Sequence, residues 1–132
     1  MSKGEQLICN ILNKSGIYYE REKHFSDLKQ GKFRYDFYIP NLNGGQAIIE
    51  FNGIQHYEYV PRFYKTKALW RKAQEYDRRK ISYALSNNIP IYIIPYWDID
   101  KLSSLQNLVS PQYRAVTRWH NDEIYAKRKD RE

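Results

Sequence analysis

Between Arg34 and Tyr57 the chain reads RYDFYIPNLNGGQAIIEFNGIQHY, two runs of β-branched and aromatic residues joined by a glycine-marked turn. Each run carries one acid. Asp36 stands among Phe33, Tyr35, Phe37, Tyr38 and Ile39, and Glu50 closes the run Ala47, Ile48, Ile49 ahead of Phe51. An ionised carboxylate is costly to desolvate alone, so an acid set in an apolar strand needs a partner. Two such acids on neighbouring strands suggest a shared cation. The block ends in Asn52-Gly53-Ile54-Gln55-His56, which puts a polar, titratable cluster directly after the second acid.

The flanking segments supply the remaining elements. Ser2 to Lys14 predicts a helix, because Ser2 can cap it, Glu5 sits three residues later as in a capping box, and Leu7, Ile8, Ile11 and Leu12 share a face before Ser15-Gly16. Cys9, the single cysteine, lies in that apolar stripe and reads as a core residue. Ile17 to Phe25 predicts a half-exposed strand, with His24 as a surface or packing residue, and Ser26 to Lys32 a polar turn. In the strand Phe33–Ile39, period-two alternation puts Phe33, Tyr35, Phe37 and Ile39 on one face and Arg34, Asp36 and Tyr38 on the other. The connection is Pro40 to Gly45.

Pro61 to Asn88, starting near Thr66, predicts one long helix whose stripe is Leu69, Ala73, Tyr76, Lys80, Ala84 and Asn87, widened by Trp70, Ile81 and Leu85. The run Ile89 to Trp97 predicts a buried strand, brought parallel to the Glu50 strand by the helical crossover. A short helix is expected over Asp100–Leu108, and a polar tail of mixed charge from Pro111 to Glu132, with fraying over Lys127–Glu132.

The 132 residues fit one domain, with a core near residues 2–97 and a helical or irregular extension over 98–132. A run of about 18 apolar residues is missing, and so is a secretory leader, so a cytoplasmic protein without membrane contact is expected. The formal charge of +7 points to an anionic partner, with nucleic acid the usual one. Its excess is concentrated: between Arg62 and Lys80 eight cations face two acids. Lys65, Lys67, Arg71, Lys72, Arg78 and Arg79 are the candidate phosphate contacts, weighed against a merely solvated helix face. Thirteen tyrosines, five phenylalanines and three tryptophans serve base stacking or a core equally well.

The order helix, three strands, long helix, strand, with Asp36 on the second strand and Glu50 on the third, resembles the PD-(D/E)xK, or restriction-endonuclease-like, nuclease superfamily. Within it, Tyr35-Asp36-Phe37, the string IEFNGIQHY from Ile49 to Tyr57, Asp77, Lys80, Tyr83, and Asn88-Ile89-Pro90 to Ile94-Pro95-Tyr96 look like small phage-encoded nucleases related to very-short-patch-repair endonucleases. The resemblance covers about residues 5–97 and implies an α/β fold with a central mixed sheet flanked by helices, in αβββαβ order. It implies an endodeoxyribonuclease that hydrolyses phosphodiesters with Mg2+ or a substituting Mn2+, in a host cytoplasm if phage-encoded, with DNA as partner. Double-strand cleavage would need a homodimer or sequential nicking.

Residue by residue, the resemblance gives Asp36 and Glu50, with the backbone carbonyl of Phe51, the metal. Glu5 matches an acid that many members place on the first helix. One position departs: where the family pattern has a lysine, two residues after the second acid, this chain has Asn52, which offers no cation. The candidate substitutes are Gln55 and His56, the latter as a base, and Lys80, oriented by Asp77. The bland alternatives are a strand-ending histidine and an intrahelical Asp77–Lys80 ion pair. A catalytically inactive nuclease fold that binds nucleic acid or a host protein is the alternative function.

Overall fold

A computed structural model describes residues 1–26 and 33–131. The turn expected over residues 26–32 lies, from residue 27 on, outside the described residues, as does residue 132. The elements are α1 (Lys3–Ser15), β1 (Glu20–Lys23), β2 (Tyr35–Leu42), β3 (Gly45–Asn52), α2 (Lys67–Ser86), β4 (Ile91–Pro95), α3 (Leu105–Leu108) and α4 (His120–Asp130). Single 3-10 turns lie at Ile54–His56, Ile99–Lys101 and Pro111–Tyr113. Four strands form one mixed sheet in the order β1-β2-β3-β4, antiparallel except for the parallel β3–β4 pair, in which Glu50 stands beside Ile93.

Local chemistry explains the boundaries. Ser2 accepts the Glu5 amide at 3.1 Å to cap α1, and Gly16 ends it at φ 75°. Thr66 accepts the Leu69 amide at 3.1 Å to cap α2. The β2–β3 connection is tighter than the six residues expected. Both strands continue to a two-residue turn, Asn43-Gly44, whose positive φ values of 53° and 93° match the twist of a hairpin. The register shifts by one residue between Ile39 and Leu42, a bulge that accommodates Pro40, which has no amide to donate. β1 is shorter than the expected strand, and its four charged residues suit a sheet edge.

Two apolar layers flank the sheet. One packs Ile8, Ile11 and Leu12 of α1 on Phe37, Ile39, Ile49 and Ile94, and the other packs Ile81 and Ala84 of α2 on Tyr35, Ile48, Ile91 and Ile93. The single face expected for Phe33, Tyr35, Phe37 and Ile39 is therefore corrected: Phe37 and Ile39 join the α1 layer, while Phe33 and Tyr35 join the α2 layer. The break falls at Asp36, just beyond the last paired rung at Phe37 and Ile49. The apolar stripe of α2 is likewise shorter than expected, because its first turns run past the sheet and leave Leu69 half-exposed.

The segment after Trp97 packs as part of the same body. Ile99, Leu108 and Tyr113 enter the α1 layer and Ala115 the α2 layer. The Ala115 amide donates to the Ile91 carbonyl at 2.9 Å, and Arg114 bridges Tyr92 at the free edge of β4. The one helix expected over Asp100–Leu108 is two pieces, since Ser104 starts a fresh capping box with Asn107. The tail, expected to be polar and to fray over Lys127–Glu132, carries α4 as far as Asp130, and it is held to α2 through Arg78–Asp122 at 2.9 Å and, just before α4, Arg118–Glu75 at 2.7 Å.

The N-terminal turn of α1 is seated on the site strand, because a Cβ at Gly4 would run into the Phe51 ring. Overpacking of this kind costs about 1–3 kcal/mol, more than the helical gain of replacing glycine, about 0.5–1 kcal/mol at most. Gly4→Ala is expected to lower the thermal midpoint by several degrees; an unchanged or raised midpoint would show that Phe51 moves aside freely.

Candidate active site

Past the Phe37/Ile49 rung, side chains take over the work of the β2–β3 ladder. The Asp36 amide donates to Glu50 Oε2 at 2.7 Å, and the Phe51 amide donates to Asp36 Oδ2 at 2.8 Å. Each acid thus satisfies the other strand's backbone, and the exchange brings the two carboxyl groups together. Glu50 is 7% exposed. Burial first, and the negative charge of Glu50 second, push the Asp36 carboxyl up to about 9, against the opposing pull of Lys80 and the Phe51 amide.

Lys80 reaches this pair from α2, its ammonium in contact with Glu50 Oε1. Burial by itself would lower its pKa, but the charges of Glu50 and Asp36 outweigh burial and hold it above the usual lysine range. At neutral pH Lys80 keeps its ammonium and Asp36 retains its proton. The lysine stem is fixed by Tyr35, whose hydroxyl donates to the Lys80 carbonyl at 2.8 Å and whose ring lies 5.2 Å from the ammonium.

The expected partnership of Asp77 with Lys80 is corrected. Asp77 Oδ2 lies 2.7 Å from His56 Nδ1, joining α2 to the 3-10 turn after β3, and among the described residues Asp77 and Lys80 form no ion pair. A histidine in the turn that follows the strand and an acid on a distant helix become a dyad only through packing. The turn is held by Trp70, whose Nε1 donates to the Gln55 carbonyl at 2.8 Å. Asn52 is buried, its Nδ2 donating to the Tyr57 hydroxyl at 3.2 Å. It anchors the strand end.

These groups line an open cavity of about 300 Å3, with Glu5, Asp36, Glu50, Gln55, His56 and Lys80 around it and Phe63 at its margin. Glu5 is clasped by Arg21 of β1 at 3.0 Å. Arg21 also donates through Nε to the Asp36 carbonyl at 3.2 Å and lies 4.6 Å over the Phe37 ring. In the sequence Arg21 was one charge in an alternating strand, so its bracing of Glu5 and Asp36 was not visible. Asn121 of α4 was missed too. Its buried Oδ1 has no hydrogen-bond partner and it lines a small void shared with Glu50, Asn52, Asp77 and Lys80. His24 is exposed and takes no part.

Among the described residues no group of three or more His, Cys, Asp or Glu side chains is disposed to hold a metal. The pair present nevertheless suits Mg2+, which takes one or two carboxylates and keeps several waters. Two like carboxyls held together at the cost of a retained proton form a place where an added divalent cation relieves repulsion.

Of the basic residues, Lys65, Lys67, Arg71, Lys72 and Arg79 are exposed. Arg78 is not available as expected, because its guanidinium binds Asp122 at 2.9 and 3.2 Å and Glu75 at 3.4 Å and lies 4.9 Å over Trp119. It ties α4 to α2.

No family model matches the chain, and no solved structure matches it. The chain is similar to uncharacterized protein 307L of Invertebrate iridescent virus 6, with 35% identity over 85 residues. That alignment takes in 63% of this chain and 42% of the viral protein, so the match spans less than half of the relative's length. No helix among the described residues is long and apolar enough to cross a membrane.

The raised Asp36 pKa makes a stability prediction. In the unfolded chain this carboxyl titrates near 3.8, and in the folded, metal-free protein near 9. The folded state therefore holds the extra proton, and the associated stability is complete below about pH 4 and lost as pH rises toward 9. Asp36→Asn is expected to match the wild type in thermal midpoint near pH 4 and to exceed it at pH 8 without metal. A variant less stable than wild type at pH 8 would show that Asp36 is ionised in the fold.

Proposed function

We propose that the chain is a metal-dependent DNA endonuclease with a restriction-endonuclease-like core, of viral or phage origin. The observation that carries the reading is the contact of the Lys80 ammonium with Glu50. It supplies, from α2, the positive charge that Asn52 cannot supply from β3. The mixed sheet with its flanking helices is compatible with that core, and the viral relative with that origin.

In this reading Asp36, Glu50 and the Phe51 carbonyl would hold Mg2+, which when bound polarises a phosphate and acidifies water. Everything else falls to the chain. Lys80 sits beside Glu50, where its ammonium can offset the charge that builds on the phosphoryl oxygens as water attacks phosphorus. With Nδ1–H donating to Asp77, His56 presents Nε2 as a base toward the cavity, and that nitrogen accepts the proton of the attacking water. As the new P–O bond forms, the bond to the 3'-oxygen breaks. The leaving oxygen takes up a proton from solvent, giving a 3'-hydroxyl and a 5'-phosphate. Glu5, braced by Arg21, stands at the same cavity to orient water.

A second reading is favoured by the same contact. An ammonium already neutralising Glu50 also suits a scaffold that has given up the metal and binds nucleic acid or a host protein. Plasmid nicking with Mg2+ or Mn2+ separates the two. The wild type is expected to cut, Asp36→Ala and Glu50→Ala to be silent, and His56→Ala to be slower by about 10²–10⁴-fold. A wild type as inert as those variants, while still binding DNA, would remove the nuclease reading.

A further inference from the structure

A second cavity lies away from the carboxylates. It is an open groove of about 890 Å3 between the 3-10 turn Ile99–Lys101 and α4. Lys101, Lys127, Arg128 and Arg131 line it against a single carboxylate, Asp98. That carboxylate is already engaged, accepting from the Tyr113 hydroxyl at 3.0 Å and from Lys101 at 3.3 Å. The Lys101 contact is a loose surface pair, since that side chain is 74% exposed. Cations spread along a solvated helix repel one another weakly. Cations that converge on a concavity from two separate segments concentrate positive potential there and draw an anion into it.

The groove is also built on the site. Its wall is Trp97, with the Arg128 guanidinium 4.7 Å over the ring. Trp97 packs on Tyr57 at 4.8 Å, Tyr57 stacks on Tyr125 at 5.4 Å, and the Tyr57 hydroxyl is the group that accepts from Asn52. Pro95, in the groove, and Asn52, in the carboxylate cavity, are register partners on adjacent strands. One rung of the sheet, across which strands lie about 5 Å apart, thus contributes a residue to each cavity.

We propose that this groove holds the phosphate backbone of the DNA on one flank of the scissile phosphate. The proposal rests on the nuclease reading for its substrate and assigns a binding role to residues 98–131, which lie beyond the stretch carrying the sequence resemblance. A small molecule carrying one phosphate would use only part of the groove, whereas successive phosphates of one strand can meet Lys101, Lys127 and Arg131 in turn.

The test is binding without metal, so that it reads the groove independently of cleavage. A short fluorescein-labelled DNA duplex is titrated by anisotropy over a range of KCl concentrations with wild type, Lys101→Gln/Lys127→Gln, and a control that removes the same charge elsewhere, Lys14→Gln/Arg34→Gln. Each phosphate contact contributes about 0.9 to the slope of log K against log salt. The groove variant is expected to lose about 1.8 from that slope and to bind roughly tenfold more weakly at moderate salt, with the control close to wild type. Equal slopes for the two variants would overturn the groove while leaving a DNA-cutting wild type untouched. Displacement of the duplex by inorganic phosphate, beyond chloride at equal ionic strength, would overturn it in favour of a small-anion site. A wild type that binds no duplex at all would remove both the groove and the nuclease.

Discussion

The structure turns on an exchange of two hydrogen bonds. Asp36 and Glu50 each accept the amide that the opposite strand would otherwise give to a backbone carbonyl. A buried carboxylate is costly without partners, and an unsatisfied buried amide is costly too. The reciprocal arrangement offsets both and brings together two carboxyl groups that repel one another when ionised. That residual repulsion is what the rest of the fold answers. Lys80 comes in from α2, Arg21 braces the Asp36 carbonyl from β1, and one proton stays on Asp36.

The neighbouring elements are arranged around this fork. β3 and β4 run parallel and bury both faces, so the end of β3 opens between two helical layers. α1 brings Glu5 to one side, seated by the fit of Gly4 under Phe51. α2 brings Lys80 and Asp77 to the other, one acting on the acid pair and one on His56. Lys80 and Asp77 therefore face different partners from one helix, with no ion pair between them among the described residues. α4, clamped to α2 by Arg78 and Arg118, closes the layer and adds basic residues at the same end of the sheet.

Charge follows the same division. Arg78 belongs to a cluster with Glu75 and Asp122 that holds two helices together, whereas Lys65, Lys67, Arg71 and Lys72 remain exposed at the start of α2. A count of cations along the chain does not separate these two uses, since what distinguishes them is the proximity of acids forty residues away. The aromatic residues divide in a similar way. Tyr57, Tyr96, Trp97 and Tyr125 form one packed wall, while Phe63 stays exposed at the cavity margin.

Much of this was legible in the sequence wherever local rules govern. Period-two runs marked β2 and β3, serine and threonine caps marked α1 and α2, and an apolar run between prolines marked β4 as a buried strand parallel to β3. The acids in apolar strands identified Asp36 and Glu50 as a pair. What the sequence left open was decided by tertiary packing. Whether His56, Gln55 or Lys80 meets the pair, that Asp77 turns to His56, that Phe33 and Tyr35 cross to the α2 layer, and that the tail folds onto the sheet all depend on where α2 and α4 dock. Those choices rest on contacts between residues far apart in the chain, and helical periodicity places Lys80 on a face without saying what that face meets.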